Sequence, residues 1–190
     1  QEAGYNLPAT GGSTRQNEQG EALTFELLYP DDDTHLRMAE SIKADFERIG
    51  VYVTLKPQAY ADLVASLENR VHQAALVDLN LSNSPDPDPY PFWHQAQTSG
   101  GQNYAKWDDR QASEYLEQAR ITVDLAERTR LYRNFQVRFE KELPALPLFY
   151  PVYRYAVDAA VQGVRMGPLF DSSDRFNTLP VWFLVTQTSK

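Results

Sequence analysis

The chain has 190 residues, of which 42% are hydrophobic, so it is long and apolar enough to bury one sizeable core. Its formal net charge is −8, from 18 lysines and arginines against 26 aspartates and glutamates, and it has no long basic run. This balance argues against nucleic acid or an anionic membrane surface as a partner. The sequence contains no cysteine, which excludes disulfides, thiolate metal sites and cysteine nucleophiles.

The first 22 residues are poor in large apolar side chains and rich in glycine, threonine and amides. They predict a linker, and because the chain opens in the middle of it, we expect a piece of a longer protein. Residues 23–190 are predicted to form the folded part.

Residues 23–81 show the patterns of strands and helices in turn. Leu23 to Tyr29 alternates as a strand does, and the apolar stripe from Leu36 to Ile49 indicates a helix that ends at Gly50. The full predicted order is strand 23–29, helix to residue 49, strand 51–55, helix 60–67 and strand 74–81. This βαβαβ order predicts an α/β fold with a parallel sheet, whose carboxyl edge is the usual ligand-binding edge.

The loop that leaves the third predicted strand is the most unusual segment. Four prolines between Pro85 and Pro91 stiffen it, so Asp86, Asp88, Tyr90 and Trp93 project in defined directions at little ordering cost. This pattern is typical of a recognition loop. The alternative is that the Asp-Pro pairs are ordinary turn residues and that the aromatic side chains cover the end of a core.

Two further helices and an aromatic tail complete the chain. Asp108 with Gln111, and Asp124 with Glu127, are N-cap signals that predict two antiparallel helices. The apolar stripe of the second helix ends before Pro144. Residues 145–157 predict an edge or boundary-crossing strand, and the apolar residues beyond 161 either cap this core or pack on a second lobe.

No catalytic or metal-binding pattern is convincing. His35, His72 and His94 are scattered, and no phosphate-binding glycine loop is present, so we predict no metal and no cofactor. Asp86 and Asp88 could serve acid and base chemistry, as in glycoside hydrolysis. A single carboxylate of the two, however, fits ammonium recognition better than the pair fits catalysis.

Three motifs together resemble one family. They are the segment from Asp86 to Trp93, the run Asn103-Tyr104-Ala105-Lys106-Trp107, and Ala126-Glu127-Arg128 followed by Leu131-Tyr132. With the order of elements, they resemble the C-terminal lobe of extracytoplasmic solute-binding proteins of the peptide- and nickel-type class, family five, which serve ABC importers.

The resemblance implies a periplasmic-binding-protein-like type II lobe at residues 23–190, preceded by an inter-lobe segment at 1–22. It implies binding without chemistry: a peptide or similar small solute is held in a cleft between this lobe and an N-terminal lobe of the same chain, then handed to a membrane permease. It also implies a location outside the cytoplasmic membrane, with a lipid anchor on the full-length protein.

The resemblance assigns an ammonium-binding role to Asp86 or Asp88, without distinguishing them, and a lining role to five residues: Asn80, Tyr90, Trp93, Tyr104 and Trp107. Two other functions stay open, a ligand-sensing lobe of a regulator and a hydrolase using the acidic loop. The unpartnered apolar tail also suggests a possible homodimer.

Overall fold

The computed structural model describes residues 3–9, 11–79, 88–167, 169 and 171–185. These residues form two compact units. The first contains the described residues up to Leu79 together with Ser99–Tyr104, and the second contains the described parts of 80–98 and 105–190. The boundary between linker and lobe at residue 22 stays a prediction.

The first unit is built on a three-stranded parallel sheet. Strands β1 (Thr24–Pro30), β2 (Tyr52–Gln58) and β3 (Ala74–Ala75) lie in the order β2-β1-β3. Helix α1 (Asp33–Arg48) connects β1 to β2, and α2 (Tyr60–Glu68) connects β2 to β3. The predicted βαβαβ order and the α/β class with a parallel sheet are therefore confirmed.

The two faces of the sheet are covered by different helices. On one face Leu27, Tyr29 and Val53 pack with Ala39 of α1. On the other, Leu28 packs with Leu63 and Leu67 of α2, two side chains separated by one helical turn. The alternation of β1 thus divides its side chains between two small cores, as a strand period of two requires.

The third strand is shorter than the sequence predicts. We expected residues 74–81, but only Ala74 and Ala75 pair with β1, although the Leu76 amide still donates to the Leu28 carbonyl at 2.8 Å. The next bond of a parallel ladder on this side would need an N–H from Pro30, which proline lacks. The ladder therefore stops at the end of β1.

The second unit is built on two packed helices, α4 (Arg110–Ile121) and α5 (Leu125–Glu142), preceded by the short helix α3 (Tyr90–Trp93) and a 3₁₀ turn at Gln95–Gln97. Ala112 and Leu116 of α4 bury against Phe135 of α5. Asp124 accepts from the Glu127 amide at 2.8 Å and caps α5, as predicted.

The cap of α4 differs from the prediction by one residue. Asp109, not Asp108, is the N-cap: its carboxylate accepts from the Ala112 amide at 2.7 Å and also pairs with Arg138 of α5. The ion pair joins the start of one helix to the end of the other. Because Arg138 lies 29 positions away in sequence, a local capping pattern cannot reveal this contact.

The chain after α5 carries little regular structure. Among the described residues, none of 144–160 belongs to a strand, so the edge strand expected at 145–157 is not part of a sheet. Strands β4 (Val161–Gln162) and β5 (Phe183–Leu184) form an antiparallel pair, and 3₁₀ turns lie at Ser172–Phe176 and Leu179–Val181. Of the apolar residues beyond 161, Leu179, Val181, Phe183 and Leu184 each expose more than half of their surface, so these side chains do not cap the core, and packing on a second lobe stays a prediction.

Within the described ranges, every helix is too short or too polar to cross a membrane.

Candidate functional site

The carboxyl edge of the parallel sheet carries a cluster of acidic side chains around one histidine. Asp32 follows β1 and caps α1, accepting from the amides of Thr34 and His35 at 2.9 and 3.0 Å. The His35 ring then bridges two carboxylates: Nδ1 lies 2.5 Å from Asp32 and Nε2 lies 3.2 Å from Asp78, which follows β3. The first and third strands are thus joined at the edge where the sequence predicts the site.

The two carboxylates control the charge of this histidine. Burial alone lowers the pKa of His35, but hydrogen bonds and charge attraction from Asp32 and Asp78 outweigh it, so the pKa is raised. The pKa of Asp32 is lowered, first by the backbone amide of His35 and then by its ring. Only the protonated ring can donate from both nitrogens, so in its protonated form His35 is a cationic link between the ends of two strands.

Tyr104 lies in the same unit as the sheet. Its ring packs against the cluster of Leu28, Leu63 and Leu67 and lies 4.9 Å from the guanidinium carbon of Arg70. Arg70 also donates to the Gly101 carbonyl at 2.7 Å. Tyr104 is therefore held by packing and a cation–π contact, and its predicted contact with a ligand stays a prediction.

The proline-rich loop is described only from Asp88 onward, so Asn80 and Asp86 lie outside the described residues. Asp88 accepts from the Tyr90 amide at 3.1 Å and forms an ion pair with Arg120 of α4, with Nε and Oδ2 3.1 Å apart. These contacts hold the described end of the loop, and the stiffness that the proline pattern predicts stays a prediction.

Trp93 and Trp107, which we predicted to line a ligand cleft, belong to the core between α4 and α5. Trp93 and Trp107 both pack edge-on against Phe139 of α5, with ring centroids 4.8 and 5.7 Å apart. Tyr90 joins the same cluster. The structure therefore brings Tyr90, Trp93 and Trp107 together, and the contacts described for the tryptophans are those of aromatic residues covering a core.

Sequence reasoning missed the residues that hold Tyr90. The Tyr90 ring contacts the guanidinium of Arg120, 4.3 Å from its centroid, and the imidazole of His94, stacked at 4.0 Å. His94 in turn contacts Glu117 of α4. The signal available in the sequence was the spacing of Glu117 and Arg120, which places them on one face of a helix, but their partner could not be inferred.

The described residues offer no metal centre. Within residues 3–9, 11–79, 88–167, 169 and 171–185, no three histidine, aspartate or glutamate side chains come together as metal ligands. In the histidine cluster the two carboxylates contact opposite ring nitrogens, so they do not converge on one point. The chemistry that these groups can supply is hydrogen bonding, charge pairing and aromatic stacking.

Comparison with known proteins finds similarity to peptide-binding and peptide-transport proteins. It is 30% identical over 145 residues to di/tripeptide-binding protein 4 of Pseudomonas aeruginosa, covering 75% of this chain and 27% of that protein. It is 29% identical over 168 residues to the peptide transport periplasmic protein SapA of Salmonella typhimurium, covering 80% and 29%. The chain thus spans less than a third of the length of these relatives. No family model matches.

The fold is shared with a solved peptide complex. The oligopeptide-binding protein AppA of Bacillus subtilis, determined with a nonapeptide, superposes with a TM-score of 0.76 over 97% of this chain and 36% of AppA, at 20% identity. The fold is that of a periplasmic-binding-protein-like type II lobe. The resemblance to the family-five solute-binding proteins of the peptide and nickel type is confirmed by these similarities.

Proposed function

We propose that the chain is the C-terminal ligand-binding lobe of an extracytoplasmic solute-binding protein. The full protein binds a peptide or similar small solute between two lobes and delivers it to the permease of an ABC importer. The observation that carries this proposal is the described end of the acidic and aromatic loop, where defined contacts hold Asp88 and Tyr90, in a chain similar to di/tripeptide-binding proteins.

The location of the acidic groups supports a ligand with a positive charge. A peptide carries an α-ammonium, and a carboxylate at the edge of a parallel sheet can accept its hydrogen bonds. We assign this role to Asp86 or Asp88. The lining of the cleft is proposed to come from five residues that provide aromatic surface and one amide: Asn80, Tyr90, Trp93, Tyr104 and Trp107.

The exposed segment after α5 supports a second lobe. Leu146, Phe149, Tyr150 and Val152 each expose more than half of their surface, and their stretch of chain lies outside any strand. Proteins normally cover apolar side chains that are exposed together in this way. We propose that the N-terminal lobe of the same polypeptide covers them, in keeping with relatives of which this chain covers less than a third.

The proposed location is outside the cytoplasmic membrane, in the periplasm or at the outer face of the membrane with a lipid anchor. The named SapA relative is periplasmic. The protein would then meet the permease at the membrane and the solute in the surrounding fluid.

The experiment is isothermal calorimetry with dialanine on the full-length protein and on the 190-residue chain. The full-length protein is expected to bind, whereas the chain alone, with half of the cleft, is expected to bind weakly or not at all. Tight binding by the isolated chain would contradict the two-lobe proposal. Size-exclusion chromatography with light scattering on the same sample tests the alternative, a homodimer. If a second copy of the chain covers the exposed segment, the measured mass will be that of a dimer.

A further inference from the structure

Helix α4 contacts the beginning of α3 through the side chains around Tyr90. The Tyr90 ring lies 4.3 Å from the guanidinium carbon of Arg120 and stacks on the imidazole of His94 at 4.0 Å, and we call these three groups the Tyr90 stack. Asp88 pairs with Arg120, and Glu117 contacts Nε2 of His94 at 2.8 Å. Arg120 and Glu117 are three residues apart on α4, so one face of this helix contacts both Tyr90 and His94.

The imidazole of His94 is fixed in one tautomer. His94 is only 3% exposed, and its Nδ1 accepts from the Ala96 amide at 3.0 Å, so the ring proton lies on Nε2 and is donated to Glu117. The next residue along is tied to the same helix, since the Gln95 amide donates to the hydroxyl of buried Ser113 at 3.0 Å. These contacts therefore hold in place the imidazole on which the Tyr90 ring stacks.

Both oxygens of the Asp88 carboxylate already have a partner within the unit. One oxygen accepts from the Tyr90 amide and the other lies 3.1 Å from the Arg120 guanidinium. A ligand ammonium that approached Asp88 would meet the positive charge of Arg120 at the same carboxylate, and like charges this close repel. Asp88 is thus already paired with a cation of its own unit.

We propose that Asp88 and Arg120 are positioning residues that fix the plane of Tyr90, and that Asp88 is not the carboxylate that holds the ligand ammonium. This inference rests on the proposed function and narrows it, because it removes one of the two candidate anchors. Arg120 acts on the ligand only through Tyr90, whose ring it contacts.

The two roles of Asp88 predict opposite effects of replacing Arg120. If Asp88 positions Tyr90, then Asp88→Asn and Arg120→Gln each break the same contact, and each weakens binding. If Asp88 holds the ammonium, Arg120→Gln removes a competing cation and strengthens binding, while Asp88→Asn abolishes it. The sign of the Arg120 effect therefore separates the two roles.

The test is a double-mutant cycle on the full-length protein, with the dissociation constant of dialanine measured by calorimetry. We expect about a tenfold loss for each single variant and nearly the same loss for the double variant, the coupling typical of residues in direct contact. Arg110→Gln is the matched control, because Arg110 lies on the same helix, has an 85% exposed side chain and pairs only within α4 in the described contacts. Tighter binding by Arg120→Gln, or additive losses, would overturn the proposal.

A second readout needs no ligand. The amides of Tyr90 and Ala96 are bonded within the stack, so Arg120→Gln should speed their hydrogen exchange several-fold, while Arg110→Gln should not. Unchanged exchange in Arg120→Gln would overturn the positioning role. If the wild-type protein binds no dialanine or other peptide, the proposed function fails, and the exchange measurement still decides whether Asp88 and Arg120 hold Tyr90.

Discussion

Replacing Leu116 by alanine should strongly destabilise the second unit. Leu116 is fully buried where α4 packs on α5, in the cluster that also holds Trp93 and Trp107. The change removes three carbons, which at about 0.8 kcal/mol each is roughly 2.4 kcal/mol of lost burial. The unfilled cavity adds to this, so we expect a total of roughly 3 to 4 kcal/mol. For a chain of this size the melting temperature should fall by roughly 10 °C.

Urea unfolding followed by tryptophan fluorescence measures this loss, since two of the three tryptophans lie in the affected cluster. The midpoint should fall with little change in slope. The matched control is Ile121→Ala, at the end of the same helix, where the side chain is 81% exposed. It should be neutral, because alanine is also the better helix former. A loss below about 1 kcal/mol for Leu116→Ala, or an equal loss in both variants, would refute the packing.

Two further predictions concern charged contacts and pH. Burial alone raises the pKa of Asp109, but the hydrogen bonds and charge of Arg138 and the Ala112 amide lower it below the usual value, so its stabilisation is complete above about pH 4 and is lost as the pH falls further. Acid titration of the unfolding free energy should therefore show a smaller loss in Asp109→Asn than in the wild type, and Asp109→Ala should cost about 1 kcal/mol more for the missing cap; equal acid sensitivity in Asn and wild type would contradict this. For His35 the pKa is raised, so its stabilisation is complete below about pH 6.5 and is lost as the pH rises through the folded pKa. His35→Gln should thus destabilise the chain more at pH 5.5 than at pH 9 in urea unfolding, and an equal effect at both values would rule out the cationic link.

The first unit was the most predictable part of the fold, because its rules are local. The alternation from Thr24 to Pro30 and the stripe that buries Ala39 each follow from one element's own periodicity. The error in β3 is instructive, since an apolar run predicted a strand through Leu81 while the ladder depends on a donor from its neighbour. Pro30 cannot provide that donor, and only the pairing of the strands shows that it is needed.

The candidate site was predictable in its region but not in its contacts. The prolines and acidic residues indicated the loop, and Asp88 and Tyr90 do lie in a fixed segment there. The partner of each depends on α4, more than twenty residues further along, and no local pattern connects Asp88 to Arg120. The roles of the aromatic residues were ambiguous for the same reason, because a tryptophan that covers a core and a tryptophan that contacts a ligand look alike in the local sequence.

The central claim is that this lobe belongs to a protein that carries a peptide or similar solute. The most direct measurement is native mass spectrometry of the full-length protein, purified without denaturation, with the ligand released on unfolding. The account predicts a bound mass or a series of peptide masses that disappears when the protein unfolds. A protein that stays empty, both as purified and after incubation with a mixture of short peptides, would contradict it.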